Sequence, residues 1–273
     1  MSVALRLLAV LVVCVAVVLG AMYYARIGLI FVFDPSEARP DDLPRTTIRQ
    51  LPAYGADPAL TVWVTEPRED QPVVIYFMGR TGSLALETLR LRGLADAGFG
   101  IAAMAYRGGG GQAGAPGAEA LYRDALRVYA GLDGLFGRGI PAVDRVIYGH
   151  SLGAGLATRL AAEQEELAVI LEAPITGLCA AKSGLLAVVP GCWLYSGQDF
   201  DTLDGIGRIG APLLILHGSQ DRTVPVRLAE RLFEAAETPK YIEIYEDGGH
   251  ENLASLGAAA DAAGFIRTLR GVR

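Results

Sequence analysis

Three histidines, three cysteines and charge on only 20% of its residues leave this chain of 273 residues few chemical options. Its net charge is −6 and no basic cluster interrupts the sequence, so nothing in it could track a phosphate backbone, and nucleic acid is excluded as an expected partner. No His, Cys and carboxylate grouping has metal-ligand spacing, so no metal and no other cofactor is expected. The glycine run Gly108 to Gly111 is not followed by Gly-Lys-Ser/Thr, which rules out a phosphate-binding P-loop and leaves a flexible loop at a sheet edge. There is also no internal repeat. Apolar residues, by contrast, are abundant at 52%, enough for a sizeable core, and the length suits one large α/β domain or two small ones.

The apolar excess is concentrated at the N-terminus. From Leu7 to Ala25 nineteen residues pass without a charge, about the length a helix needs to span a hydrocarbon core. Tyr23, Tyr24 and Arg26 form an interfacial border, and the patch "IGLIFVF" (27–33) is expected to extend the helix or to lie along the bilayer surface. A cleaved secretory signal is the competing reading, with Arg6 as its positive region, but the run is long for one and no A-x-A site follows it. Arg26, Arg39 and Arg45 follow the span against Arg6 before it, which by itself does not favour export of the remainder, although long domains cross regardless of such counts. Cysteine leans the other way. Cys14 lies in the span, leaving Cys179 and Cys192 either as a pair that an oxidising compartment would allow to bridge or, equally, as two lone buried thiols.

Organisation follows from punctuation and period. Residues 1–33 read as a membrane anchor, and 34–58, with Pro35, Pro40, Pro44, Pro52 and Pro58, as a linker with an irregular first strand region. From 59 to 273 apolar strand-like runs at 60–65, 73–78, 100–106, 145–150, 167–173, 212–218 and 241–246 alternate with helix-length segments near 83–97, 118–136, 152–165, 225–237 and 251–270. That alternation, with strands apolar throughout, predicts an α/β fold whose mostly parallel central sheet is covered by helices on both faces. Residues 174–211 break the rhythm and read as a lid-like insertion over the C-terminal sheet edge, with a short apolar helix at Lys182 to Val189. A structural excursion without substrate contact is the plainer alternative.

The chemistry sits at strand ends. "VIYGHSLGAG" places Ser151 between Gly149 and Gly153, after a β-branched apolar run and before the helical "AGLATRLAAEQEE". Strand, tight turn and helix are the context in which Gly-x-Ser-x-Gly presents a nucleophile, with the Leu152 amide available to an oxyanion. A serine needs a base, and three histidines can be weighed one by one. His150 points away from its neighbour in an extended segment, and His217 ends a strand and orders the loop after it. His250, in "EDGGHENL", is free to reach across the sheet edge as general base. Asp221 in "HGSQDRTVP" is the favoured orienting acid because the fold uses the order Ser, Asp, His; Asp247, Asp199, Asp201 and Asp204 remain alternatives. The glycine-rich turn from Met78 to Ser83 supplies further amides above Ser151.

With these segments assembled, residues 60 to 270 resemble an α/β-hydrolase, more narrowly the membrane-anchored branch related to fungal bud-emergence proteins and eukaryotic protein depalmitoylases. The likeness is carried by "YFMGRTGS", "AYRGGGGQAGAPGAEALYRDALRVYAGL", "IYGHSLGAGLA", "LEAPITGL", "PLLILHGSQDRTVP" and "GGHENL" in that order. It implies Ser151 as nucleophile, Asp221 as acid, His250 as base, oxyanion donation by the amides of Arg80 and Leu152, and an ester or thioester as target. One departure stands out: the family's usual His-Gly is Met78-Gly79 here, followed by Arg80. Backbone donation survives that change, and the Arg80 cation either faces an anionic substrate or pairs with a surface acid. The tether and the apolar residues Leu185, Leu186, Val188, Val189, Trp193 and Leu194 point to a lipid-like acyl substrate. Acyl transfer or peptide cleavage on the same triad, and a non-catalytic interaction protein of this fold, are the alternatives.

Overall fold

The computed structural model describes residues 3–180, 192, 195–198 and 200–271. The expected helix at 182–189, all six residues of the apolar 185–194 group and Asp199 lie outside them.

Eight strands form one sheet: β1 (Thr46–Leu51), β2 (Leu60–Thr65), β3 (Val73–Phe77), β4 (Gly100–Met104), β5 (Arg145–His150), β6 (Ala168–Glu172), β7 (Leu213–Gly218) and β8 (Lys240–Tyr245). Their order is β1-β2-β4-β3-β5-β6-β7-β8, antiparallel at β1/β2 and β2/β4 and parallel from β4 to β8. Every residue of β3, β4 and β6 is buried, as a doubly covered sheet requires of its central strands. β1 is different. Its sequence "TTIRQL" is exposed along its middle, so it shows no apolar alternation and is held as an edge strand by pairing with β2.

The helices are α1 (Val3–Ile30), α2 (Thr88–Asp96), α3 (Ala118–Phe136), α4 (Gly153–Ala161), α5 (Thr202–Ile206), α6 (Arg227–Ala235) and α7 (Ala258–Gly271). Right-handed crossovers fix their sides: the chain moves one way from β3 to β4 and the other way from β4 through β8. α2 therefore shares a face with α7, against which it packs, while α3, α4, α5 and α6 contact one another in series on the other. The strand order reverses between β3 and β5, and the crevice above their C-terminal ends is where such sheets bind ligands.

Within 174–211 the described residues carry the short helix α5 and a Cys179–Cys192 disulfide with Cα atoms 5.5 Å apart. α1 stands clear of the sheet, its apolar side chains exposed over most of its length, and is long and apolar enough to cross a membrane. The patch at 27–33 divides in two. Its first part does extend the helix, to Ile30, but Phe31 and Phe33 turn inward and are buried against the body that carries the sheet instead of lying along a bilayer surface.

Candidate active site

The crevice is built from three loops, beginning with the turn after β5. Ser151 has φ 52°, a left-handed conformation that a non-glycine residue adopts at a cost of roughly 1–3 kcal/mol. Its amide is tied to the Glu172 carbonyl at 2.8 Å. The flanking glycines are obligatory: a Cβ on Gly153 would strike the Phe77 carbonyl, and one on Gly149 would lie 2.7 Å from the Ala154 Cα. The motif is thus a turn with no room for side chains at two places, and it lifts the serine onto the N-terminus of α4.

The loops after β7 and β8 are stitched together before they deliver their side chains. Ser219 N donates to Tyr245 O at 2.9 Å and Gln220 N to Gly248 O at 2.9 Å, with Gly218 packed on Gly248. His217 Nε2 meets the Val224 carbonyl at 2.8 Å, so this histidine orders the loop as the sequence suggests. Asp221 Oδ1 accepts from the amides of Thr223 (2.8 Å) and Val224 (2.7 Å), leaving Oδ2 to His250 Nδ1 at 2.7 Å. His250 Nε2 then lies 2.9 Å from Ser151 Oγ. Burial raises the Asp221 carboxyl, but the hydrogen bonds from His250, Val224 and Thr223 outweigh it and hold it below its ordinary value. Asp221 is therefore an anion facing the imidazole.

Among the described residues none of the alternative acids contacts His250. Asp201 caps α5 by accepting from the Asp204 amide at 3.0 Å, Asp204 pairs with Arg208 at 3.2 Å, and Asp247 offers its backbone carbonyl to Asn252.

The third loop, after β3, passes over Ser151: a Cβ on Gly79 would sit 3.5 Å from the Ser151 Cβ and 3.0 Å from His150 Nδ1. Among the described residues neither the Arg80 nor the Leu152 amide has a hydrogen-bond acceptor. The Arg80 side chain is exposed and makes no ion pair among the described residues; its charge acts on the Tyr195 hydroxyl, in the insertion. Of the two roles open to that cation, pairing with a surface acid is not seen among the described residues.

Beneath the elbow lies a group that sequence reasoning missed. Arg90, buried on α2, donates Nε to Glu172 Oε2 at 2.8 Å and also pairs with Glu87. Tyr76 Oη donates to Glu87 at 2.8 Å, and Tyr148 Oη donates to Glu172. His150 stands 3.6 Å from Glu87 and 3.5 Å from Arg90, its ring under Gly79. Burial and Arg90 lower the His150 pKa, yet the two carboxylates prevail and hold it above its ordinary value. Glu172 thus serves the elbow twice, by its carbonyl on Ser151 and its carboxylate on Arg90. The available signal was a lone acid inside the apolar run "LAVILEA".

The fold also assembles His150, His250 and Glu251 with potential ligand atoms within 4.8 Å, a grouping not foreseen from the sequence. His250 Nε2 and Nδ1 are both occupied by the serine and Asp221, so an ion there would displace the base from its partners.

No protein-family model matches the chain. It is 35% identical over 191 residues to human Protein ABHD12B, across 62% of this chain and 51% of that protein. It is 30% identical over 196 residues to the Lysophosphatidylserine lipase ABHD12 of Xenopus tropicalis, across 64% of this chain and 49% of that one. The chain thus spans about half the length of these curated relatives. Among solved structures, the Pyrococcus furiosus esterase Pf2001 superposes with a TM-score of 0.69 at 20% identity, over 86% of this chain and 98% of that one. The narrower likeness to fungal bud-emergence proteins finds no support in these matches, but the wider one stands at the level of architecture: the chain has the α/β-hydrolase fold.

Proposed function

We propose that the protein is a membrane-tethered serine hydrolase that cleaves carboxyl ester or thioester bonds through an acyl-enzyme. The observation that carries this reading is the unbroken line Ser151 Oγ, His250, Asp221, with contacts of 2.9 and 2.7 Å. His250 Nε2 takes the hydroxyl proton as Oγ attacks the acyl carbon, and Asp221 stabilises the imidazolium that results. The carbonyl oxygen becomes an oxyanion held by the Arg80 and Leu152 amides. Its collapse breaks the ester or thioester bond, and His250 returns the proton to the departing alcohol or thiol. Water, deprotonated by His250, then attacks the acyl-serine and releases the acid. No metal or other cofactor enters these steps.

The names of the relatives, a lysophosphatidylserine lipase among them, and the esterase neighbour support an acyl ester as substrate class. Helix α1 is read as the tether, residues 1–33 as the anchor, 34–58 as the linker, and 59–273 as the hydrolase domain. The Cys179–Cys192 bridge favours a catalytic domain on the oxidising side of the membrane. A fluorophosphonate probe should label the wild type and spare Ser151→Ala; an unlabelled wild type sinks the proposal. A chain-length series of p-nitrophenyl esters and thioesters set against aminoacyl amides should show the esters or thioesters turned over faster. Preference for the amides would replace esterase by peptidase.

A further inference from the structure

The residues that follow helix α1 do not run as a free tether. Asp34 N donates to Thr81 O at 3.0 Å, and Gly110 N donates to Asp34 O at 2.7 Å, so one residue of the connecting segment is bonded both to the oxyanion loop and to the glycine-rich loop after β4. Phe33 lies across Gly82, where φ is 66° and a Cβ would collide with the phenyl ring. Gly109 is equally constrained, because a Cβ there would strike the Gly82 carbonyl and stand 2.9 Å from the Phe33 Cβ.

The rings continue the contact. Phe31 packs on Phe33 at 5.5 Å and on Phe200 at 6.0 Å, and Phe33 packs on Tyr106 at 5.7 Å between ring centroids. Tyr106 in turn donates its hydroxyl to the Met78 carbonyl at 2.8 Å, at the other end of the oxyanion loop. Residues 78–82 are therefore gripped at both ends, and Arg80, whose amide would meet the oxyanion, lies between the grips.

The geometry points to Phe31, Phe33 and Asp34 as a positioning clamp on the oxyanion loop, so that the seating of the N-terminal helix and the competence of Ser151 form one mechanical unit. This rests on the hydrolase reading above. It also gives the glycine run a purpose: the clamp needs close approach at Gly109 and, at Gly110, a left-handed turn with φ 58° that presents its amide to Asp34. A displaced loop withdraws a donor used only once the oxyanion forms, so the loss should fall on kcat and spare KM.

The test uses full-length protein in phosphatidylcholine vesicles, p-nitrophenyl butyrate as substrate, and active sites counted by endpoint fluorophosphonate titration. Phe33→Ala should lower kcat per titrated site by at least about tenfold, with KM within about twofold of the wild type. Phe33→Leu should restore at least about half of that rate, and Gly109→Ala should reproduce the loss from the opposite side of the contact. Val32→Ala, at an exposed position of the same segment, should leave kcat unchanged. Wild-type kcat in Phe33→Ala overturns the clamp. So does a fall in titratable sites with kcat per site intact, since that is instability and not positioning. A wild type that neither labels nor turns over refutes the hydrolase reading itself, a result distinct from either.

Discussion

Replacing Asp221 by asparagine substitutes a single oxygen in a buried side chain and reverses what that side chain can do for His250. The aspartate has two acceptor oxygens with separate duties. Oδ1 is held by the Thr223 and Val224 amides at 2.8 and 2.7 Å, and Oδ2 receives the Nδ1 proton of His250 at 2.7 Å. Backbone amides can only donate, so in Asp221→Asn they claim the one remaining oxygen and turn the NH2 toward His250. Nδ1 must then accept, which puts the imidazole proton on Nε2. That nitrogen lies 2.9 Å from Ser151 Oγ and now donates where it must receive.

The corresponding exchange in a Ser-His-Asp triad lowers kcat by about four orders of magnitude, or about 5.5 kcal/mol at 1.36 kcal/mol per decade. Folding should suffer far less. The loss is a charge-assisted interaction with His250, about 1–3 kcal/mol, while both amides stay satisfied. Steady-state hydrolysis of p-nitrophenyl butyrate, fluorophosphonate labelling rate and thermal melting separate the two effects. Asp247→Asn is the control, because that carboxylate does not contact His250 and the variant should keep wild-type turnover. A fall of less than tenfold in Asp221→Asn, or a large fall in Asp247→Asn, refutes the assignment.

Arg90→Met should cost about 3–5 kcal/mol of stability by stranding Glu87 and Glu172 in the core, a Tm loss of roughly 6–20 °C by scanning calorimetry. The sign of its pH dependence should also invert. In the wild type Glu172 is held low, and Glu87 is lowered to about 2 by His150, Arg90 and Tyr76 despite burial, so stability is complete above the ordinary carboxylate range and is lost as pH falls through the native values. Without Arg90 the buried acids favour their neutral forms, so acidification from pH 7 to 5 should stabilise the variant; a parallel decline in both proteins contradicts the cluster. Non-reducing peptide mass analysis should recover the 179–192 bridge, and free thiols at both positions would remove the argument for an oxidising compartment. Exhaustive EDTA treatment should leave ester hydrolysis intact; a loss restored by Zn2+ would turn the His150, His250 and Glu251 grouping into a metal site.

What could be read in the sequence divides along physical lines. Strands β3, β5, β6 and β7 were legible because burial on both faces demands uninterrupted apolar runs. Ser151 and His250 were legible because an elbow needs glycines at fixed offsets and only three histidines compete. Asp221 could be favoured over Asp247 only through chain order; the contacts between the β7 and β8 loops that join it to His250 are invisible in one dimension. Glu87 and Arg90 were not legible at all. A charge on a helix of mixed polarity reads as solvated, and only the sheet beneath α2 reveals that these two point inward. Phe31 and Phe33 misled for the opposite reason: aromatics next to a membrane-length helix read as interfacial, whereas the site of Phe33 is cut by Gly82 and Gly109 and Phe31 packs on Phe200, all far along the chain.

The buried cluster and the clamp answer the same mechanical demand. An apolar replacement for the Glu87, Arg90 and Glu172 group could be as stable, since desolvating charges offsets most of their attraction. It could not hold the same shape, because hydrophobic packing has no direction while each of these contacts does. The directions all converge on one crevice. Glu172 fixes the elbow from below, Arg90 ties it to the helix that follows the oxyanion loop, and the His150 ring fills the space under Gly79. Tyr106 and Asp34 then hold that loop at its two ends. Ser151, strained at φ 52°, and two unpaired amides would each relax if left to local preference. Directional contacts on every side are what keep them poised, and the proposed role of Phe33 adds the N-terminal helix to that frame.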